Sequence, residues 1–155
     1  MNILEKRDFD DKSRATYAVG RIQAKAYGIL MRHTTEALAS YGITPKEWAL
    51  LGLMYERGQL RPSSVAHELG VEAGYVTTMG LHLKKMGLLD EERNEIDSRA
   101  KILALTKSGT DFVKKHEPVL RQHMRPLLVG AQNQDVLGYL ALLEIIIKNE
   151  EKLKH

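Results

Sequence analysis

The chain has 155 residues, 43% hydrophobic and 28% charged, which suits one domain with a real core and excludes disordered and fibrous classes. It has no cysteine, so a disulfide scaffold, a thiolate metal site, a cysteine nucleophile and thiol redox sensing are all excluded. The net charge of +3 is spread thinly: residues 1–43 carry net +2, residues 44–110 carry nine basic and nine acidic side chains, and residues 111–155 carry net +1. Charge alone therefore does not identify a nucleic-acid partner. The first eleven residues are charged and contain no apolar signal-peptide core. The apolar stretch 137–147 is too short and too interrupted to span a bilayer. These features predict a soluble, cytoplasmic protein with no membrane partner.

Glycine and proline punctuate the chain into helix-sized pieces. The spacing of Tyr17, Ile22, Ala26, Ile29, Leu30, Ala37 and Leu38 predicts a first helix over 13–41, ended by Gly42 in a left-handed conformation. Thr44-Pro45-Lys46-Glu47 predicts a capping box with proline at the first helical position. Trp48, Leu51, Leu53, Met54 and Tyr55 form the body of that second helix, and Gly58 stops it. Pro62 opens a short third helix to Leu69, closed by Gly70. A fourth is expected over 72–86, closed by Gly87. Two short helices joined by a Gly-containing turn predict a helix-turn-helix.

The period then changes. Residues 88–93 read as a strand, 93–101 as a polar loop and 102–105 as the returning strand, which makes a β-hairpin wing. A helix is expected from Thr106 to about Pro118, with Pro118 and Pro126 as breakers or kinks. A last helix is expected over 132–152, with Val136, Leu140, Leu143 and Ile147 on one stripe that Leu137, Ile145 and Ile146 widen. A stripe that broad calls for a partner surface. The fold class is thus mainly α with a small β-hairpin wing.

This order resembles that of the MarR family of winged-helix transcription regulators, over nearly the whole chain. The resemblance is strongest in Gly42-Ile43-Thr44-Pro45-Lys46-Glu47-Trp48, which is similar to the family's start of the second helix. It is strong again in Asp97-Ser98-Arg99 followed by Leu105-Thr106 and Gly109, which is similar to its wing signature. The resemblance implies a winged helix-turn-helix DNA-binding domain over 44–110, flanked by dimerisation helices in 1–43 and 111–155 that form one compact unit. It implies a homodimer on a palindromic operator in double-stranded DNA, repression by steric blocking as the default, and release by a small aromatic or phenolic effector.

Physical chemistry gives the motif residues matching work. Arg99 suits the narrow, strongly negative minor groove. Asp97 cannot favour phosphate and instead orients Arg99 or stiffens the turn; a surface ion pair of little energy is the bland alternative. With Val76, Met79, Leu83 and Met86 on the buried stripe, Thr77, Thr78, His82 and Lys85 face outward, where they suit base edges and phosphates. An ordinary solvated face is the alternative. Ser63 and Ser64, in the first turn of the third helix, suit a phosphate or simple capping. Lys101 completes the wing's basic contacts, and Lys46 is a weaker phosphate candidate. Three features depart from the family: acidic Asp90-Glu91-Glu92 on the first wing strand, Gly80 beside the buried stripe and apolar Leu81 on the outward face.

Trp48, Tyr17, Tyr27, Arg21, Met31 and His33 could line an effector cavity, but core or surface roles account for each, and no effector residue is assigned. His116 and His123, seven residues apart, raise a zinc-responsive regulator as an alternative, although no metal-binding motif is present. There is no Gly-rich phosphate loop, no GxSxG and no acid pair beside a base, so neither an enzyme nor a cofactor is expected. A winged helix that binds protein is the other alternative, favoured by the zero net charge of residues 44–110.

Overall fold

The computed structural model describes residues 12–93 and 101–153. Its elements are α1 (Lys12–Ala39), α2 (Pro45–Arg57), α3 (Pro62–Leu69), α4 (Ala73–Lys85), β1 (Leu89–Arg93), β2 (Lys101–Leu105), α5 (Lys107–Met124), a 3-10 turn (Arg125–Leu128) and α6 (Asn133–Leu153). The expected winged helix-turn-helix order is present. The capping box at α2 is formed in full. The Glu47 backbone N–H donates to Thr44 Oγ1 at 3.2 Å, and Glu47 Oε2 accepts from the Thr44 N–H at 2.8 Å. Two of the helix's otherwise unsatisfied donors are thereby met.

The core of the winged domain is apolar and closed. Leu50, Leu51 and Met54 of α2, Val65 of α3, and Val76, Met79 and Leu83 of α4 are buried with Leu88, Leu89 and Leu103. Met86 differs from expectation. It caps α4 at its C-terminal end and is exposed, because the buried stripe stops one turn earlier at Leu83. The wing strands pair antiparallel, with Leu89 opposite Leu105 and Arg93 opposite Lys101. Leu60 adds an antiparallel bridge to Leu103, its N–H donating to Leu103 O at 3.1 Å and its carbonyl accepting at 2.8 Å. β2 is therefore flanked on both sides, which anchors the base of the wing to the segment between α2 and α3.

The junction of wing and α5 explains the Leu105-Thr106…Gly109 pattern. Thr106 Oγ1 donates to Gly87 O at 2.7 Å and accepts the Gly109 N–H at 2.9 Å, and the Thr106 N–H donates to Leu88 O at 3.2 Å. A Cβ at position 109 would stand 1.9 Å from the Leu88 carbonyl oxygen, so no side chain fits there. Gly80 is different: a Cβ would meet only Leu89 Cδ2, at an ordinary 3.9 Å.

Helix α5 does not end at Pro118 but runs through it to Met124. Proline removes one backbone donor, to the carbonyl of Lys114. Both Pro118 and Lys114 lie on the exposed side of the helix, where water can meet that carbonyl. On the opposite side His116 lies against Tyr41 and Phe112, with ring centroids 4.1 and 4.5 Å away. Its Nδ1 is buried without a hydrogen-bond partner. Burial, and then the charge of Lys115, hold the His116 imidazole below its ordinary value of 6.5.

By density of contacts the chain divides into Met1–His123 and Met124–His155. In the second unit, α6 has no buried residue, and Val136, Leu137, Leu140, Ile145, Ile146 and Ile147 are all exposed. Among the described residues, no helix is long and apolar enough to cross a membrane.

Two predictions follow from this packing. Gly109→Ala should lower unfolding stability by about 3 kcal/mol through overpacking, whereas Gly80→Ala should raise it by about 0.5–1 kcal/mol through helix propensity. Urea denaturation of both variants measures the contrast, and a Gly109→Ala chain as stable as wild type contradicts the close approach. The second concerns pH. Folding favours neutral His116, so this contribution is complete above the unfolded-state pKa and is lost as pH falls through the lowered folded one. Wild-type Tm should fall relative to His116→Phe between about pH 7.5 and 5.5. Parallel Tm profiles would contradict a buried, unpartnered imidazole.

Candidate nucleic-acid interface

Helix α4 presents an outward face because its apolar residues Val76, Met79 and Leu83 turn inward at helical spacing. Thr77, Thr78, Leu81, His82 and Lys85 are all exposed, as their positions predict. The two threonine hydroxyls are engaged within the helix: Thr77 Oγ1 donates to Ala73 O at 3.3 Å and Thr78 Oγ1 to Gly74 O at 3.2 Å. Their methyl groups and oxygen lone pairs stay available for base edges, while donation requires the hydroxyls to rotate.

His82 has a partner that its sequence position does not reveal. Its Nδ1 lies 2.6 Å from Glu47 Oε1. Glu47 is only 5% exposed, and among the described residues it is the buried charged one. The Thr44 hydroxyl adds a further donor to Oε2 at 3.0 Å. A carboxylate at the third position of a helix is legible as a cap. Its reach to a histidine 35 residues later is not, because only the folded helix-turn-helix brings the two together.

Ser63 and Ser64 follow Arg61 and Pro62 in the first turn of α3, Ser63 exposed and Ser64 half-buried. The N-cap position is Arg61 and carries no side-chain cap bond, so the serines do not cap α3. Lys46 Nζ sits 5.0 Å over the ring of Tyr75 at the start of α4, a cation–π contact.

The acidic wing strand is not left bare. Lys101 Nζ meets Glu91 Oε1 at 2.9 Å, Lys84 Nζ meets Asp90 Oδ1 at 3.7 Å, and Gln59 donates to Glu92 Oε2 at 3.1 Å. Lys101, read from the sequence as a DNA contact, is thus shared with an acid across the hairpin while remaining 67% exposed. The wing-tip residues Asp97 and Arg99 lie outside the described residues.

A separate cleft of about 500 Å³ opens between α2 and α5, lined by Trp48, Gly52, Tyr55, Val113, Lys114 and Glu117 among others. Of the aromatic and basic residues considered for an effector cavity, Trp48 lines this cleft. Tyr17, Arg21 and Tyr27 are exposed, and Met31 and His33 are half-buried. His123 stands by His33, with ring centroids 6.0 Å apart. Among the described residues, no three His, Asp or Glu side chains gather as a metal site.

Comparison with known proteins places this geometry. No family model matches the chain. It is 28% identical over 99 residues to YkoM of Bacillus subtilis, an HTH-type transcriptional regulator. That match covers 64% of each protein, so the chain spans just under two thirds of this relative. Among solved structures it resembles a mutant MarR from E. coli complexed with operator DNA (TM-score 0.73, 22% identity, 83% of this chain and 93% of that one). It also resembles CouR from Rhodococcus jostii RHA1 bound to p-coumaroyl-CoA (TM-score 0.76, 17% identity, 92% and 96%). The fold is therefore the MarR-type winged helix, and these relatives are transcriptional regulators rather than enzymes.

Proposed function

We propose that this chain, with its MarR-type winged-helix fold, is a dimeric, sequence-specific DNA-binding regulator. It represses by occupying a palindromic operator and leaves DNA when a small aromatic or phenolic acid binds. The observation that carries this reading is the exposed face of α4, with Thr77, Thr78 and Lys85 outward beside His82, directly ahead of a wing hairpin. In this reading α4 enters the major groove, and Ser63 and Ser64 meet the backbone with α3's first free amides. Arg99, oriented by Asp97, enters the minor groove beside Lys101. Residues 44–110 are the DNA-binding part, and 1–43 with 111–155 form the dimerisation part.

A second copy is the natural cover for α6, whose apolar side chains are exposed along its length. Two-fold symmetry then sets two α4 helices about one DNA turn apart, matching a palindrome. Repression follows sterically from a dimer lying across a promoter. The cleft between α2 and α5 is our candidate for the effector: Trp48 and Tyr55 offer ring faces, and Lys114 offers a cation beside the acids Glu56 and Glu117.

An electrophoretic shift on the DNA upstream of the chain's own reading frame tests the reading. Binding should weaken steeply with salt, and Arg99→Ala should weaken it further. Salt-insensitive or absent binding, with no effect of Arg99→Ala, would leave the winged domain as a protein-interaction module. Glu91→Gln gives an independent check. It removes a negative charge and frees Lys101, so DNA affinity should rise and the salt slope steepen by about one unit. Unchanged affinity and slope would remove Lys101 from the interface.

A further inference from the structure

The imidazole of His82 is 44% exposed, on the face of α4 that the proposed function turns toward DNA, yet its Nδ1 is held at 2.6 Å by a carboxylate that is almost wholly buried. Nε2 has no partner among the described residues. Glu47 divides its two oxygens between two elements. Oε2 closes the capping box of α2 on the Thr44 N–H and hydroxyl, and Oε1 takes His82. Glu47 itself cannot serve DNA, being both buried and negative. Among the described residues, its contact on α4 is the histidine.

We infer that His82 is a positioning residue, locked by Glu47, that sets the seating of α4 against α2. In this role the inner nitrogen carries the function, and any contact of the outer nitrogen with DNA is secondary. Val76, Met79 and Leu83 bind α4 to the core through apolar contacts, which carry no directional preference of their own. The short bond between His82 and Glu47 is directional and connects two helices 35 residues apart in sequence. Because the carboxylate donates nothing, the ring must present Nδ1–H to it, and that fixes the tautomer and the ring plane. The inference rests on the DNA-binding reading above.

The two nitrogens can be separated by substitution. An asparagine at position 82 carries its amide N–H where Nδ1 stands and can still donate to Glu47, but does not reach outward. A glutamine reaches about as far as Nε2 and leaves Glu47 without its partner. The experiment measures binding of wild type, His82→Asn, His82→Gln, His82→Ala, Glu47→Gln and the His82→Ala/Glu47→Gln double variant to DNA from upstream of the reading frame. Circular dichroism confirms that each chain is folded. If Glu47 and His82 act as a pair, His82→Asn binds within about threefold of wild type and His82→Gln loses about tenfold or more, in line with truncating a buried charged hydrogen bond. The double variant then binds no worse than His82→Ala alone, the signature of coupled residues.

Retention by His82→Gln with loss by His82→Asn would overturn the inference in favour of direct DNA contact through Nε2. If both fail, the double variant decides: independent, multiplying losses overturn the pairing, and a single shared loss supports it. Wild-type affinity in every variant also overturns it. A wild-type chain that binds no DNA overturns the proposed function itself, which the wild-type titration alone reveals.

Discussion

A buried carboxylate is costly unless every lone pair it exposes to the interior finds a donor, and Glu47 meets that demand from two directions. Thr44 supplies a backbone N–H and a hydroxyl, and His82 supplies an imidazole nitrogen. The same group therefore ends one helix and fixes another. Removing any donor leaves the charge underserved in a poorly solvated site, so the start of α2 and the outward face of α4 are energetically one unit. The apolar core supplies most of the driving force for folding and turns the Val76, Met79 and Leu83 stripe inward. The polar clamp adds a directional contact to that packing.

The charge balance of residues 44–110 has a matching logic. Its nine acidic and nine basic residues do not simply cancel. Glu91, Asp90 and Glu92 are each met by a neighbour, Lys101, Lys84 and Gln59. Such exposed pairs contribute little to stability. Their effect is to hold the lysines near the hairpin and to moderate the field that an approaching polyanion would feel. A net charge near zero is thus compatible with a functional electrostatic surface whose cations are shared.

Local features were the most legible from sequence. The Thr44–Glu47 box, Pro45 at the first helical position, the Pro62–Leu69 helix and the hairpin all depend on neighbours within a few residues, and all are present. The buried stripe of α4 was legible as far as Leu83. It failed at Met86, where helical periodicity was extended past the end of the helix. The end of α5 is not legible at Pro118, because proline's cost depends on whether the orphaned carbonyl faces water. The pairings of His82 with Glu47 and of Lys101 with Glu91 were not legible. Each joins segments whose proximity exists only after the turn or hairpin has formed, and the residue types alone fit a free phosphate contact equally well. Asp97 and Arg99 keep the role that their motif and chemistry assign them as a proposal.

The missing side chain at Gly109 has a mechanical meaning. Here backbone meets backbone, with Thr106 bonded to both Gly87 and Leu88, and only the Leu105 side chain stands beside the contact. The first turn of α5 and the root of the wing form a stiff hinge block. An 18-residue helix rising from that block is a lever arm roughly 27 Å long at 1.5 Å per residue. The register of α5 on the wing is thereby set by backbone contact, and a sideways shift of the helix start would have to carry the strand root with it.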